Sequence, residues 1–395
     1  MEVVDYFEQY EINCFVTLIL SYCLQEKITN LKYDEEENYM VYNLAIYHDL
    51  EYLIASSLEY NGIKLSDKLF KNKFIKATKC FTQDSEFEEI KKAFNEHKIA
   101  HLPLKGSVIR KYYDDPVMRD MSDIDILVHK NDMKQAKNIM IKELGYKLFA
   151  SNDNSPHDAF TKEPYMDVEI HRKLMVDEAK VAPYLACTWD RCYQDNDYTY
   201  KLNDSDFYIY NIMHNVKHFC KAGTGVRILL DLYYMFKHMK LDFDYINQEL
   251  KKFGLDTYSD CLVNLTNKLF NKEILLEDEI FLLDYLIYSG THGSVFFGIV
   301  GDVVANNDKE NMDKGRSKYF FNRLFPPYKV MKSRNPILKK LPFLLPWFWF
   351  TRLIKGLFHF KKNSEHVKRI KEVKERDYES RTRLASITKI NPYDW

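Results

Sequence analysis

The sequence predicts an α+β fold in which a small mixed sheet, part of an α/β module, is flanked by helices and held between N- and C-terminal helical lobes. Apolar residues recur at helical spacing over residues 6–98. Over residues 99–174 the pattern changes to short apolar runs that alternate with polar, helix-length segments. Helical periodicity returns at residues 205–237 and 255–288. The chain therefore changes from helical to mixed structure and back.

These changes predict four regions, and 395 residues with 46% hydrophobic content suffice for such a core. We expect a helical N-terminal lobe (1–98), an α/β module (99–200), a second helical lobe (201–310), and a basic aromatic segment followed by a charged C-terminal helix (311–395). Within the module, strands are predicted at 100–104, 124–128, 146–149 and 166–170, and a helix at 132–144. The charged residues 365–385 predict a solvent-exposed helix.

Cysteine use and the N-terminal residues indicate the compartment. The seven cysteines form no CxxC pair, and the spacing of Cys187 and Cys192 has no matching second pair, so we expect reduced thiols and no zinc site. The first residues, MEVVDYFE, contain no basic residue before the apolar segment, which argues against a secretory signal. We therefore expect a cytoplasmic protein.

Two aspartates in an apolar run form the clearest candidate for a metal site. Asp123 and Asp125 alternate with apolar residues in the run MSDIDILV, so on a strand both carboxylates face the same side. Two like charges side by side repel, and a divalent cation bound by hard oxygen ligands is the usual compensation. Residues 105–107, Lys-Gly-Ser, follow a short apolar run and predict a tight turn into a helix, whose backbone amides can hold phosphate oxygens.

A third carboxylate is expected from the run YMDVEIH at residues 165–171. Its alternation places Asp167, Glu169 and His171 on one face of a strand beside the aspartate strand. We favour Glu169 over Asp167 as the ligand and general base because Glu169 is more central in the run. Three carboxylates suit two magnesium ions about 3.5–4 Å apart, which assist an in-line phosphoryl displacement.

In combination these motifs resemble the polymerase-beta-like nucleotidyltransferases, whose signature is a Gly-Ser turn, an aspartate pair on a strand and a later strand acid. Residues 104–107, 119–128 and 168–171 are most similar to the bacterial family of uncharacterised nucleotidyltransferases. The similarity extends to residues 144–146, to His157, and to residues 214–218 and 225–231, and covers roughly residues 40 to 330.

The resemblance implies transfer of a nucleoside monophosphate from a nucleoside triphosphate to an acceptor hydroxyl, with release of pyrophosphate. It implies Mg²⁺ or Mn²⁺ held by Asp123, Asp125 and Glu169. Ser107 and the amide of Gly106 would hold the terminal phosphates, and Lys105 or Arg119 would add positive charge.

Six more residues are candidates for supporting the carboxylates or for contacting nucleotide or acceptor, with structural packing as the alternative: Asp167, His157, His171, His214, His218 and Arg227. His214 and His218 are four residues apart on a predicted helix, but they lack the acid that accompanies such a pair in zinc sites. Arg227 can form an intrahelical pair with Asp231 or line the cleft opposite the metals.

Residues 314–364 contain 13 Lys or Arg and no Asp or Glu, although the whole chain has a net charge of −1. The aromatic run within them, residues 342–350, is too short and too rich in proline to span a membrane. Two interpretations remain open. The segment wraps the main body and buries its aromatics, or it contacts a polyanion or anionic lipid at the inner membrane face.

Two rival functions also remain open. An Asp-x-Asp pair binds the metal of nucleotide sugars in glycosyltransferases, although the Gly-Ser turn and the later acid disfavour that function. A nucleotide-binding or interaction protein without catalysis is the other alternative. The acceptor, whether a small molecule, a nucleic acid or a protein, is not determined by fold.

Overall fold

A computed structural model describes residues 9–31, 33–34, 39–152, 155–176, 179–221, 223–291, 300, 312–358 and 375–390. A seven-stranded mixed sheet lies between helices, which confirms the predicted fold class. The seven cysteines all lie within the described residues and form no disulfide. No helix among the described residues is both long and apolar enough to cross a bilayer.

Four helices precede the sheet: α1 (Gln9–Leu24), α2 (Tyr39–Tyr47), α3 (Glu51–Tyr60) and α4 (Asp67–Glu96). Ser66 caps the 30-residue α4, because its side chain accepts a hydrogen bond from the amide of Leu69. The prediction of helices over residues 6–98 is confirmed where the chain is described.

The strands are β1 (His101–Pro103), β2 (Ile124–Val128), β3 (Lys147–Ala150), β4 (His157–Lys162), β5 (Met166–His171), β6 (Cys192–Asn196) and β7 (Thr199–Leu202), in the order β3-β4-β5-β2-β1-β7-β6. Between them lie the helices α5 (Gly106–Ile109), α6 (Met133–Lys142) and α7 (Ala182–Ala186). The strand β2 pairs in parallel with β5 and antiparallel with β1.

Alternation along β2 and β5 separates a core face from a polar face. Ile124, Ile126 and Val128 of β2 pack with the apolar residues of β5 against α4 and α6. The intervening Asp125 and the polar residues of β5 therefore project to the opposite side of the sheet. This division positions the candidate site on the face away from α4.

The second helical region follows the sheet with α8 (Asp204–Lys221), α9 (Arg227–His238), α10 (Phe243–Lys251), α11 (Asp256–Phe270) and α12 (Glu277–Ser289). These helices share one apolar core with α1–α3. The prediction of helices over residues 205–237 and 255–288 is confirmed, with a break between α8 and α9.

Three strands were not predicted, although the four predicted strands and the helix at 132–144 are present. The strands β6 and β7 form one edge of the sheet and are mostly polar and exposed or half-buried, so they lack an apolar alternation. The strand β4 carries His, Asp, Thr and Lys around Phe160. Their positions depend on pairing with neighbours rather than on a local pattern.

The C-terminal part contains α13 (Met312–Leu324), α14 (Tyr328–Arg334), α15 (Leu345–Phe358) and α16 (Glu375–Thr388). One expectation for it is wrong, and the observed burial bears on the two interpretations of the basic segment that the sequence left open. The helix α16 is not fully solvated, because Asp377, Arg381 and Leu384 are buried, while residues 365–374 lie outside the described residues. The basic segment does not bury all its aromatics, since Trp347 and Phe350 are exposed.

Arg381 joins α16 to the end of α8. Its guanidinium donates to the backbone oxygens of Phe219 and Cys220 and to the hydroxyl of Tyr285, and it lies over the rings of Phe219 and Tyr285. A basic side chain at a helix C-terminus satisfies carbonyls that the helix itself leaves without donors. The C-terminal helix thus anchors α8.

We expect Arg381→Ala to lower the free energy of unfolding by about 2–4 kcal/mol, because it leaves buried acceptors without donors. Urea unfolding followed by circular dichroism measures this change. The matched control is Arg383→Ala, which removes exposed ion pairs with Glu277 and Asp278 and a contact with the ring of Phe281, and is expected to have a much smaller effect. Equal unfolding midpoints for the two variants would contradict the anchoring role.

Candidate active site

A cavity of about 370 Å³ lies on the polar face of the sheet. Its walls come from three parts of the fold: the carboxylates of β2 and β5, the turn that follows β1, and the facing helices α8 and α9. One wall is acidic and the other carries mostly basic and amide side chains. The cavity therefore brings together residues that are more than 100 positions apart in sequence.

Three carboxylates converge on the acidic wall. Asp125 pairs directly with Glu169 in the parallel register of β2 and β5, and Asp123 immediately precedes β2. One oxygen from each of these three residues lies within 4.8 Å of the others. The structure thus brings together the three acids that the sequence predicted as metal ligands, while Asp167 is exposed and outside this group.

Asp125 is the buried centre of the cluster and is 2% exposed. Its Oδ1 is 2.7 Å from the Nζ of Lys105 and 2.7 Å from the Nε2 of His171. Burial alone would raise the pKa of Asp125, but these two cationic partners hold it below its usual value. Asp125 is therefore ionised at neutral pH.

Asp123 has the opposite environment. Burial and the neighbouring carboxylate of Asp125 raise the pKa of Asp123 to about 6. Within the described chain Asp123 forms no hydrogen bond or ion pair. Its charge is thus the least compensated of the three, and a cation placed between these acids would compensate it.

Two histidines flank Glu169. The Nδ1 of His157, at the start of β4, and the Nε2 of His171 are each 3.2 Å from its Oε2. Burial would lower the pKa of His171, but its hydrogen bonds to Asp125 and Glu169 raise it above the usual value. The Nδ1 of His171 is buried without a hydrogen-bond partner among the described residues. Both histidines thus contact Glu169, and His171 also contacts Asp125.

The turn after β1 is conformationally constrained. Lys105 has a φ of 49° and precedes Gly106, where a Cβ would lie 2.8 Å from the Sδ of Met121. A side chain at residue 106 would require the flexible side chain of Met121 to move, and the positive φ of Lys105 is held by its ion pair with Asp125. The hydroxyl of Ser107 donates to the carbonyl of Leu104, and Ser107 does not line the cavity. Phosphate contact by Ser107 stays a prediction.

Arg119 lines the cavity in a fixed orientation. It donates to both carboxylate oxygens of Asp231 at 2.7 and 3.0 Å, and Asp231 also accepts a hydrogen bond from Tyr113. Asp231 therefore pairs with Arg119 and not, as the first alternative expected, with Arg227 of the same helix. Arg227 instead contacts Asp49 at 3.4 Å and lines the cavity, as the second alternative expected.

The helix α8 supplies the basic wall. His214, Lys217 and His218 project from it into the cavity, and the two histidine Nε2 atoms are 2.9 Å apart. Burial and nearby cations lower the pKa of Lys217 and lower that of His218 to about 4. Crowded cations lower each other's pKa values, so this wall favours an anionic ligand.

Comparison with known proteins now supplies a family. The family model described as uncharacterised nucleotidyltransferase matches residues 34–271, which is more than half of the chain and ends before the expected residue 330. The chain belongs to this family. No curated protein and no solved structure matches it. The matched residues contain the sheet, the three acids and the helix α8.

Some residues that line the cavity were not singled out from the sequence. They are Asn211, Asn215, Lys217 and Thr224. Lys217 lies three residues after His214, a spacing that places both on one helix face, so helical periodicity offered a signal. The remaining three carry no charge. Asn215 lies within the 214–218 motif, whereas Asn211 and Thr224 belong to no motif and are placed at the cavity only by the tertiary structure.

We expect Asp123→Asn and Asp125→Asn to change the stability of the metal-free protein in opposite directions. Because the pKa of Asp123 is raised in the folded protein, ionisation of Asp123 destabilises the folded protein as the pH rises through about 6. Asp123→Asn removes this charge and is expected to raise the free energy of unfolding by about 1–3 kcal/mol at pH 8. Asp125→Asn removes the partner of Lys105 and His171 and is expected to destabilise by about 3–5 kcal/mol.

Urea unfolding in the presence of a chelator, at pH 5 and pH 8, measures both changes. The gain from Asp123→Asn should shrink at pH 5, where wild-type Asp123 is protonated. Asp195→Asn, at an exposed position on β6, is the matched control and should leave stability nearly unchanged. A pH-independent effect of Asp123→Asn would show that its charge is not the cause.

Proposed function

We propose that this chain is a Mg²⁺- or Mn²⁺-dependent nucleotidyltransferase that moves a nucleoside monophosphate from a nucleoside triphosphate to an acceptor hydroxyl. The observation that carries the proposal is the convergence of Asp123, Asp125 and Glu169 within 4.8 Å in a cavity whose opposite wall is basic. Membership of the nucleotidyltransferase family supports the same reaction class.

The acidic wall fits a divalent cation by its chemistry. All three candidate ligands offer hard carboxylate oxygens, which are the ligands that Mg²⁺ and Mn²⁺ prefer. The uncompensated charge of Asp123 fits the same role, because a bound cation would remove its repulsion from Asp125. When bound, the metal would lower the pKa of the acceptor hydroxyl and neutralise phosphate charge.

The basic wall fits the triphosphate. Lys217 and Arg227 line the cavity opposite the acids. Burial and other nearby cations lower the pKa of each, so phosphate oxygens bound there would compensate their charge. Charge that accumulates on the departing pyrophosphate would meet the same side chains. The acidic wall would thus bind the metal, and the basic wall would bind the phosphates.

In the proposed reaction Glu169 accepts the proton of the acceptor hydroxyl. The acceptor oxygen forms a bond to the α-phosphorus, the bond from that phosphorus to the oxygen bridging to the β-phosphorus breaks, and pyrophosphate leaves with the electron pair. His157 and His171 orient Glu169 through contacts of 3.2 Å. Lys105 keeps Asp125 ionised and in place.

We expect the Asp125→Ala protein to lose nucleotidyl transfer by roughly a hundredfold or more, because it removes a ligand shared by both proposed metals. Wild type, Asp125→Ala and the exposed control Asp195→Ala are incubated with each α-labelled triphosphate, Mg²⁺ and a fractionated cell extract. Pyrophosphate and labelled acceptor are measured, and nuclease or protease treatment of the product assigns the acceptor class.

Three outcomes would contradict the proposal in distinct ways. Equal pyrophosphate release by wild type and Asp125→Ala, with no labelled acceptor, would contradict the proposal that this chain catalyses nucleotidyl transfer. Metal-dependent triphosphate binding without pyrophosphate release would indicate a nucleotide-binding protein. Metal-dependent turnover of a nucleotide sugar in place of a triphosphate would indicate a glycosyltransferase.

We expect Lys217→Ala to raise KM for the triphosphate by roughly tenfold or more with a smaller change in kcat, since it removes a charged hydrogen bond made on binding. Steady-state kinetics at saturating Mg²⁺ measure both constants. Lys221→Ala, at the exposed end of the same helix, is the matched control. A lowered kcat with unchanged KM would instead indicate that Lys217 contacts the phosphates mainly in the transition state.

A further inference from the structure

The part of the basic aromatic segment from Phe325 to Ile354 is packed on itself. Met331 and Leu338 are buried, the indole of Trp349 donates to the carbonyl of Pro326, and its ring lies 5.6 Å from that of Phe325. One side of α15 therefore has a folded partner. The segment is an ordered element and not an extended tail.

The other side of α15 presents an apolar stripe to solvent. Phe343, just before the helix, and Trp347, Phe350 and Ile354 follow one another at spacings of four, three and four residues, which places them on one helix face. These four side chains are 73%, 60%, 54% and 40% exposed. Ile337 and Leu341, also exposed, precede the stripe.

Such a stripe normally packs against a protein core. Large contiguous apolar surface on the outside of a protein marks a contact with another molecule or with a membrane. Exposed Lys339 and Lys340 lie next to the stripe in sequence. Residues 314–364 contain 13 basic and no acidic residues, whereas the rest of the chain has a net charge of −14.

We propose that the face formed by Phe343, Trp347, Phe350 and Ile354 docks in the plane of a bilayer that contains anionic lipids. The aromatic and aliphatic side chains enter the boundary between headgroups and acyl chains, and the neighbouring lysines contact anionic headgroups. This contact is independent of the cavity and of nucleotide, so it goes beyond the proposed function.

Charge and composition favour a bilayer over the other occupants. Two copies of this face would bring like charges together, which disfavours self-association. Single-stranded nucleic acid is bound by aromatic side chains interleaved with cations along a groove. This stripe instead mixes aromatic with aliphatic residues, and the exposed Lys339 and Lys340 precede it in sequence. A lipid interface accepts both kinds of apolar side chain.

The test is co-sedimentation of the full-length chain with vesicles of phosphatidylcholine alone or mixed with phosphatidylglycerol, at low and high salt. We expect tighter binding to the anionic vesicles at low salt and a blue shift of tryptophan emission. Trp347→Ser combined with Phe350→Ser should weaken binding by roughly tenfold or more, since two apolar side chains no longer enter the lipid. Lys339→Glu with Lys340→Glu should remove most of the preference for anionic vesicles.

The matched control is Phe74→Ser combined with Phe81→Ser on α4, where the side chains are 67% and 66% exposed but lie outside the basic aromatic segment. It should bind vesicles like wild type, and all variants should keep wild-type thermal unfolding. The proposal is overturned if wild type does not sediment with either vesicle, or if the Trp347 and Phe350 variant binds like wild type. It is equally overturned if those substitutions abolish a dimer or nucleic-acid binding while vesicle binding is unchanged.

Discussion

The buried carboxylate of Asp125, paired with Lys105 and His171, is the contact on which the rest of the site depends. Each partner comes from a different element: Lys105 from the turn after β1, and His171 from the end of β5. A buried carboxylate without partners would be costly, so the arrangement of β1, β2 and β5 that brings Lys105 and His171 to Asp125 is stabilised by these contacts. The same arrangement places Glu169 beside Asp125 and exposes Asp123 to the cavity.

The two walls of the cavity carry opposite, incompletely compensated charges. On one wall the pKa of Asp123 is raised by its acidic neighbour, and on the other the pKa values of Lys217 and His218 are lowered by burial and crowded cations. On each wall, burial and neighbouring charges leave the charge of Asp123 and of Lys217 incompletely compensated. A ligand that carries both a metal cation and phosphate oxygens would compensate both at once, which is the electrostatic reason for proposing nucleotidyl transfer at this cavity.

The proposed lipid contact bears on the search for the acceptor. The basic aromatic segment lies outside the residues matched by the family model, which end at residue 271. Its apolar stripe therefore lies in a part of the chain that the family match does not cover. If both proposals hold, acceptors at or near a bilayer surface are the first to examine, since docking raises their local concentration around the cavity.

The sequence by itself determined the fold class, the helical regions, the central strands and the three acids, because β2 and β5 alternate strongly between core and polar residues. It did not reveal β4, β6 and β7, since those strands take their stability from pairing rather than from a local apolar pattern. Only the tertiary structure decided that Arg119 pairs with Asp231 and that Lys217 lies opposite the acids. Such contacts join residues about 50 to 110 positions apart, and their geometry depends on how α8 and α9 pack against the sheet, which no short-range spacing encodes.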